Sequence, residues 1–236
     1  EEGGGEVYTA TLLGGIGNLG TQGWNVYGGL NYRKQSPMSG TERDFMTTSF
    51  MPAHGFDGTS PTTFPANYSQ TVGGVATVPS VNPFAPGCFP PSSINVRNQN
   101  FCSADTQVFT QVVPDQEQMS VFVKGALALG QNHTLSAEAF WANNTLKTMI
   151  APSPEGGLTM FPTSPFYPGN GINPLGPIPA TSPGLNPTQP ISIGWRTTIL
   201  GPRMTEQEND TWRGIAQLDG TIANWDYQVA ALYSKS

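Results

Sequence analysis

The run Gly15-Ile16-Gly17-Asn18-Leu19-Gly20 is a literal GxGxxG behind an apolar/polar alternation, the spacing that in a dinucleotide site brings a pyrophosphate onto a helix N-terminus. The next segment, TQGWNVYGGLNYR, has period two and no helical stripe, so the run reads as a wide glycine turn between strands. The two histidines are no richer: His54 lies in a proline-flanked loop and His133 in a tight turn. A catalytic metal takes three protein ligands, and a nucleophilic triad takes a base held by an acid. Neither constellation is visible, so the sequence predicts no enzyme, no cofactor and no metal. Cys88 and Cys102 bracket CFPPSSINVRNQNFC and predict a disulfide formed in an oxidising compartment, worth about 3 kcal/mol for a loop of that length. The remaining candidates are charged pairs, Lys124 with Glu138 and Arg213 with Asp226, each expected to meet across a hairpin.

The elements that hold these residues are delimited by proline. All 22 prolines fall within 37–114 or 152–202. Proline has no N–H to give to a ladder, so the proline-free blocks are where continuous sheet forms. Each block alternates, turns at Gly, Asn or Gln, and alternates again. The chain therefore reads as all-β: three antiparallel hairpins over about 6–34, 117–144 and 205–235, with long loops over about 35–116 and 145–204, all on one side.

Composition sharpens this. Hydrophobic residues are 37% and charged residues only 11%, which suits sheet faces that alternate small apolar with neutral polar side chains better than a deep soluble core. A net charge of −6 with ten Lys and Arg excludes a basic face for nucleic acid. No apolar run is long enough for a transmembrane helix, and EEGGGEVYTA lacks the basic region and apolar core of a signal peptide, as expected of a mature chain or of part of a longer one.

Within the hairpins the charges Arg33, Lys124, Glu138, Arg213, Asp219 and Asp226 all fall on the polar face. A bilayer enforces such sorting, because a charge against hydrocarbon costs about 2–4 kcal/mol at the midplane. On the apolar face Trp24 and Tyr32, and again Trp225 and Tyr233, stand eight residues apart, with Trp141 as a further girdle candidate. Eight steps at a tilt near 40° rise about 20 Å, the height of an apolar band between aromatic girdles. The expectation is thus a partial transmembrane β-barrel of about six strands, with short turns on one side of the membrane and large extracellular loops on the other.

The stretches GWNVYGGLNYRK, SPFYPGNGINP followed by ISIGWRTTILGPR, and WRGIAQLDGTIANWDYQVAALYSKS resemble the TonB-dependent outer-membrane receptors of Gram-negative bacteria. The resemblance is to large-loop members with an asparagine-proline-phenylalanine-type loop motif and an aromatic-Arg motif, and it covers most of the chain. It implies a 22-stranded barrel closed by a plug domain, ligand capture by extracellular loops, and energy from TonB through the plug. No segment resembles the plug or a closing strand, so the chain is expected to be a fragment of the barrel whose partners are the lipid bilayer, its own plug and TonB. Phe84, Phe89, Phe166, Tyr167 and Trp195 are the candidate loop contacts for a small-molecule ligand, a ferric siderophore or a glycan. The competing expectation is a secreted or surface β-sandwich binding module with the disulfide loop as its contact surface, which requires the Trp24/Tyr32 face to be buried within the protein.

Overall fold

The computed structural model describes residues 3–96, 100–170 and 184–236. It is all-β. Six long strands, β1 (Val7–Asn18), β2 (Trp24–Gln35), β3 (Asp115–Leu129), β4 (His133–Ile150), β5 (Arg203–Ile222) and β6 (Trp225–Lys235), lie side by side in chain order as one antiparallel sheet. Proline marks their limits almost to the residue. Pro37 follows β2, Pro114 precedes β3, Pro152 follows β4 and Pro202 precedes β5. The second hairpin runs past its expected limit at 144, because Thr145 to Ile150 continue the ladder against Arg203 to Glu208.

Three tight connections sit at one end of the sheet. Gly15 to Asn18 of the glycine run complete β1 rather than forming a wide turn, and the connection to β2 is a single helical turn, Leu19–Gln22, with the Asn18 side chain accepting from the N–H groups of Gly20 at 3.0 Å and Thr21 at 3.1 Å. A four-residue turn that leads at once into a strand is not the helix a dinucleotide site needs. Between β5 and β6, Ala223 and Asn224 adopt φ of 48° and 68°, the paired left-handed conformation of a type I′ hairpin turn.

The other end carries residues 36–114 and 151–202. These connections hold sheet of their own. Strands Asn67–Val72 and Val75–Val81 from the first join Pro154–Met160 and Ile191–Arg196 from the second in a four-stranded antiparallel sheet. Its small core is Tyr68, Val78, Tyr167 and Ile191. Among the described residues the long sheet does not close on itself, since β1 and β6 each have a neighbour on one side only.

Candidate functional site

The register of the long sheet fixes what each face presents. Trp24, Leu127, Leu135, Leu218 and Val229 lie opposite one another in sequence across five strands, and so do Val26, Gly125, Ala137, Ala216 and Ala231. This face is bare. Leu12 is 71% exposed, Trp225 80% and Val229 63%, so no second sheet among the described residues covers this face, which the sandwich expectation needs buried.

The aromatic side chains of this face lie along two oblique lines. On the line far from the turns, Tyr8 is opposite Lys34, two residues beyond Tyr32. Tyr32 shares its row with Met119, Asn143 and Asp210. Trp141 and Trp212 are opposite each other two residues nearer the turns, and Tyr233, opposite Gly214, is two nearer again. At the turn end, Trp225 lies four residues beyond Val229, which shares the row of Trp24. Both lines therefore drop four residues in the four steps from β2 to β6. That is about 13 Å along the strands for about 19 Å across them, a slope near 35°.

Between the lines the face carries no charge. Beyond the far line it carries many: Lys34 pairs with Asp115 at 2.8 Å and Glu117 at 3.4 Å, and Lys147 with Glu206 at 3.1 Å. The Trp141 indole N–H donates to Asp210 at 3.2 Å, so its ring lies on the apolar side and its polar tip on the charged side.

The opposite face holds all six charges expected there. Glu138 is the hub, bound to Arg213 at 2.7 Å and Lys124 at 3.8 Å. Arg213 also lies over the Phe140 ring, 5.8 Å from its centroid. The expected Arg213–Asp226 pair does not form, because the two-residue turn sets Arg213 opposite Ser234 and Asp226 opposite Thr221. Asp226 instead accepts from the Thr221 hydroxyl at 2.7 Å, and Asp219 accepts from Gln217 and Gln228. Arg33 donates to Gln35 at 2.9 Å and to Gln116 at 3.3 Å. Phe122 stacks edge-on to Tyr27 at 6.0 Å and lies across Gly29, where a Cβ would sit 2.8 Å from the ring. Along β3 and β4 the residues of this face are less exposed than those of the apolar face although no layer covers either, as in a sheet curled toward its polar side.

In the connections, Cys88 and Cys102 form the disulfide, and Cys102 is fully buried. Asn82, Pro83 and Phe84 form a knot: the Asn82 amide donates to the Pro65 carbonyl at 2.8 Å and to Asn67 at 2.9 Å, while its oxygen accepts from the Phe84 N–H. The Trp195-Arg196 motif is a second knot. Arg196 is buried and donates to the Thr62 and Pro152 carbonyls and to the hydroxyls of Ser60 and Thr62, tying the two connections together. Burial, reinforced by nearby Arg203, holds the Arg196 pKa below its ordinary value.

Of the candidate ligand contacts, Phe89 and Phe166 are exposed, Phe84 is half-buried against Phe89, and Trp195 is half-buried in its strand. Tyr167 is a core residue instead, 2% exposed, its hydroxyl donating to the Gln189 carbonyl at 2.6 Å, and so offers no surface to a ligand. Burial pushes its pKa up, with the Gln70 amide pulling the other way. The sequence reading missed Gln70, Asn67 and Arg196 as buried polar ties. His133 meets Tyr227 at 3.0 Å near the turns, His54 is exposed in its loop, and no cluster of metal-binding side chains exists among the described residues.

No protein-family model, curated protein or solved structure matches this chain.

Proposed function

We propose that this chain supplies three consecutive hairpins of a transmembrane β-barrel, in a TonB-dependent receptor of the Gram-negative outer membrane that takes up a scarce nutrient. One observation carries the membrane reading. An uncharged face bounded by two aromatic lines is set at a slope near 35° to the rows of the sheet, and strands in membrane barrels tilt by about 35–45°. A horizontal bilayer crossing tilted strands traces such lines. A soluble sheet has no reason to stagger its aromatics by one residue per strand.

The step from barrel to receptor rests on the resemblance and on the two large connections, which Asn82 and Arg196 tie into an ordered unit. In this reading the loops meet a small-molecule ligand, the polar face looks into the lumen toward a plug domain, and TonB acts through that plug. Nucleic acid has no part in it.

The test is depth-resolved quenching. The chain, with Trp195→Phe to silence the loop indole, is refolded into vesicles whose acyl chains are brominated at shallow or deep positions. Trp24, Trp141, Trp212 and Trp225 should be quenched more by the shallow label. Absence of quenching, or a chain that stays dispersed without lipid or detergent, would sink the proposal. In cells, the connections should be open to external protease and the turns closed to it.

A further inference from the structure

His133 stands where the turn-end aromatic line crosses β4. That line falls one residue per strand from Trp24 on β2 to Trp225 on β6, so on β4, two strands along, it lies two residues beyond Leu135, which shares the row of Trp24. The residue at that point is an imidazole between two indoles. From this placement, and resting on the barrel reading above, we infer that His133 is a headgroup site: its Nε2–H donates to the phosphodiester of a phospholipid in the leaflet on the turn side of the sheet.

The ring is held in place for such a contact. It lies across Gly220, where a Cβ would collide with its Nδ1 and press on the Tyr227 ring, so a larger residue at 220 would push the imidazole aside. On the far side of Gly220 the Tyr227 hydroxyl meets Nδ1 at 3.0 Å, with the ring centroids 5.8 Å apart. A hydroxyl donating to Nδ1 leaves the proton of the neutral ring on Nε2. Nε2 has no protein partner among the described residues, and neither has the indole N–H of Trp225, 80% exposed on the same line.

The surroundings favour an anionic oxygen. Asp219 and Asp226, the carboxylates nearest the turns, belong to the opposite face and accept from Gln217, Gln228 and Thr221. On its own face His133 shares its row with Leu129, Gly220 and Tyr227, so no carboxylate stands beside it among the described residues. Acyl chains offer no acceptor and ester carbonyls only a neutral one, whereas a bond to a phosphodiester is charge-assisted. The far line is the reverse case, because Asp115, Glu117, Glu206 and Asp210 beyond it repel a phosphate.

The experiment uses the full chain with His54→Gln, which leaves His133 as its one histidine, refolded with isotope-labelled ring nitrogens into vesicles of phosphatidylethanolamine and phosphatidylglycerol. Under nitrogen–phosphorus dipolar recoupling the protonated Nε2 signal should be strongly attenuated and the Nδ1 signal less so. Tyr227→Phe, which keeps the ring and removes the hydroxyl, should reduce that attenuation about twofold or more, because either nitrogen can then carry the proton. Three results overturn the inference: no attenuation of Nε2, attenuation unchanged in Tyr227→Phe, or equal attenuation in galactolipid vesicles bathed in inorganic phosphate, which would make His133 an anion site open to water. Bromolipid quenching of the same samples separates the two levels. Normal quenching without attenuation removes the headgroup contact only, whereas lost quenching removes the barrel beneath it.

Discussion

Arg196 is a fixed positive charge 4% exposed, held by four neutral acceptors from two segments far apart in sequence. Its planar fork is the only side-chain geometry that reaches carbonyls and hydroxyls on both sides at once. Arg196→Lys should therefore cost the connection unit about 2–4 kcal/mol, seen as faster amide exchange in residues 60–63 and 191–196, with the long sheet unchanged. Equal exchange in the variant would show that the knot is not what joins the loops. Tyr167 adds a pH dependence. Its pKa is raised above the ordinary 10.0, so the folded form holds the phenol proton more tightly than the unfolded chain does. That contribution is complete below pH 10 and disappears as pH climbs through the raised value. Limited proteolysis of the loops should accelerate in that alkaline range, and Tyr167→Phe, at a cost of about 1–2 kcal/mol at neutral pH, should abolish the acceleration.

Each strand of the long sheet is a two-sided element, and the two sides answer differently to the same substitution. Val123 faces away from the charges and Ala126 shares their face. Val123→Arg should lower the stability of the lipid-embedded sheet by about 2–4 kcal/mol in denaturant titrations, and Ala126→Arg by under about 1 kcal/mol. Equal costs would mean that both faces see the same solvent. The strands were legible in the sequence for a simple reason: period-two alternation and proline exclusion are local signals, and β2, β3, β4 and β5 end within two residues of a proline. The far end of β4 was not legible, because polar and apolar side chains no longer alternate by face over Thr145 to Ile150 and only their pairing with Arg203 to Glu208 makes them strand. The four-stranded sheet in the connections was hidden by distance, since Asn67–Gly194 is a contact that no window along the chain contains. Arg213 was placed on the right face and given the wrong partner, because face is set by parity whereas partner is set by turn length.

At the scale of the whole molecule the decisive fact is the pair of edges. β1 and β6 each leave one row of N–H and C=O groups without a strand, and a lipid-embedded sheet cannot leave such groups in hydrocarbon. Closing these six strands on themselves is no remedy. A barrel of about eight strands already has an interior only wide enough for its own side chains, and here Tyr27, Phe122, Phe140 and the Glu138 cluster all project to the inside. In the proposed barrel, both edges would pair with further strands. Hydrogen exchange on this chain in lipid should find β3 and β4 protected throughout, while β1 and β6 exchange at every second amide, those pointing away from the sheet. In a protein that extends the sheet with additional strands, those same amides should become as slow as the centre. Uniform protection of β1 and β6 in the chain by itself would mean that the edges find each other, in one copy or between two, and the larger barrel would have to be abandoned.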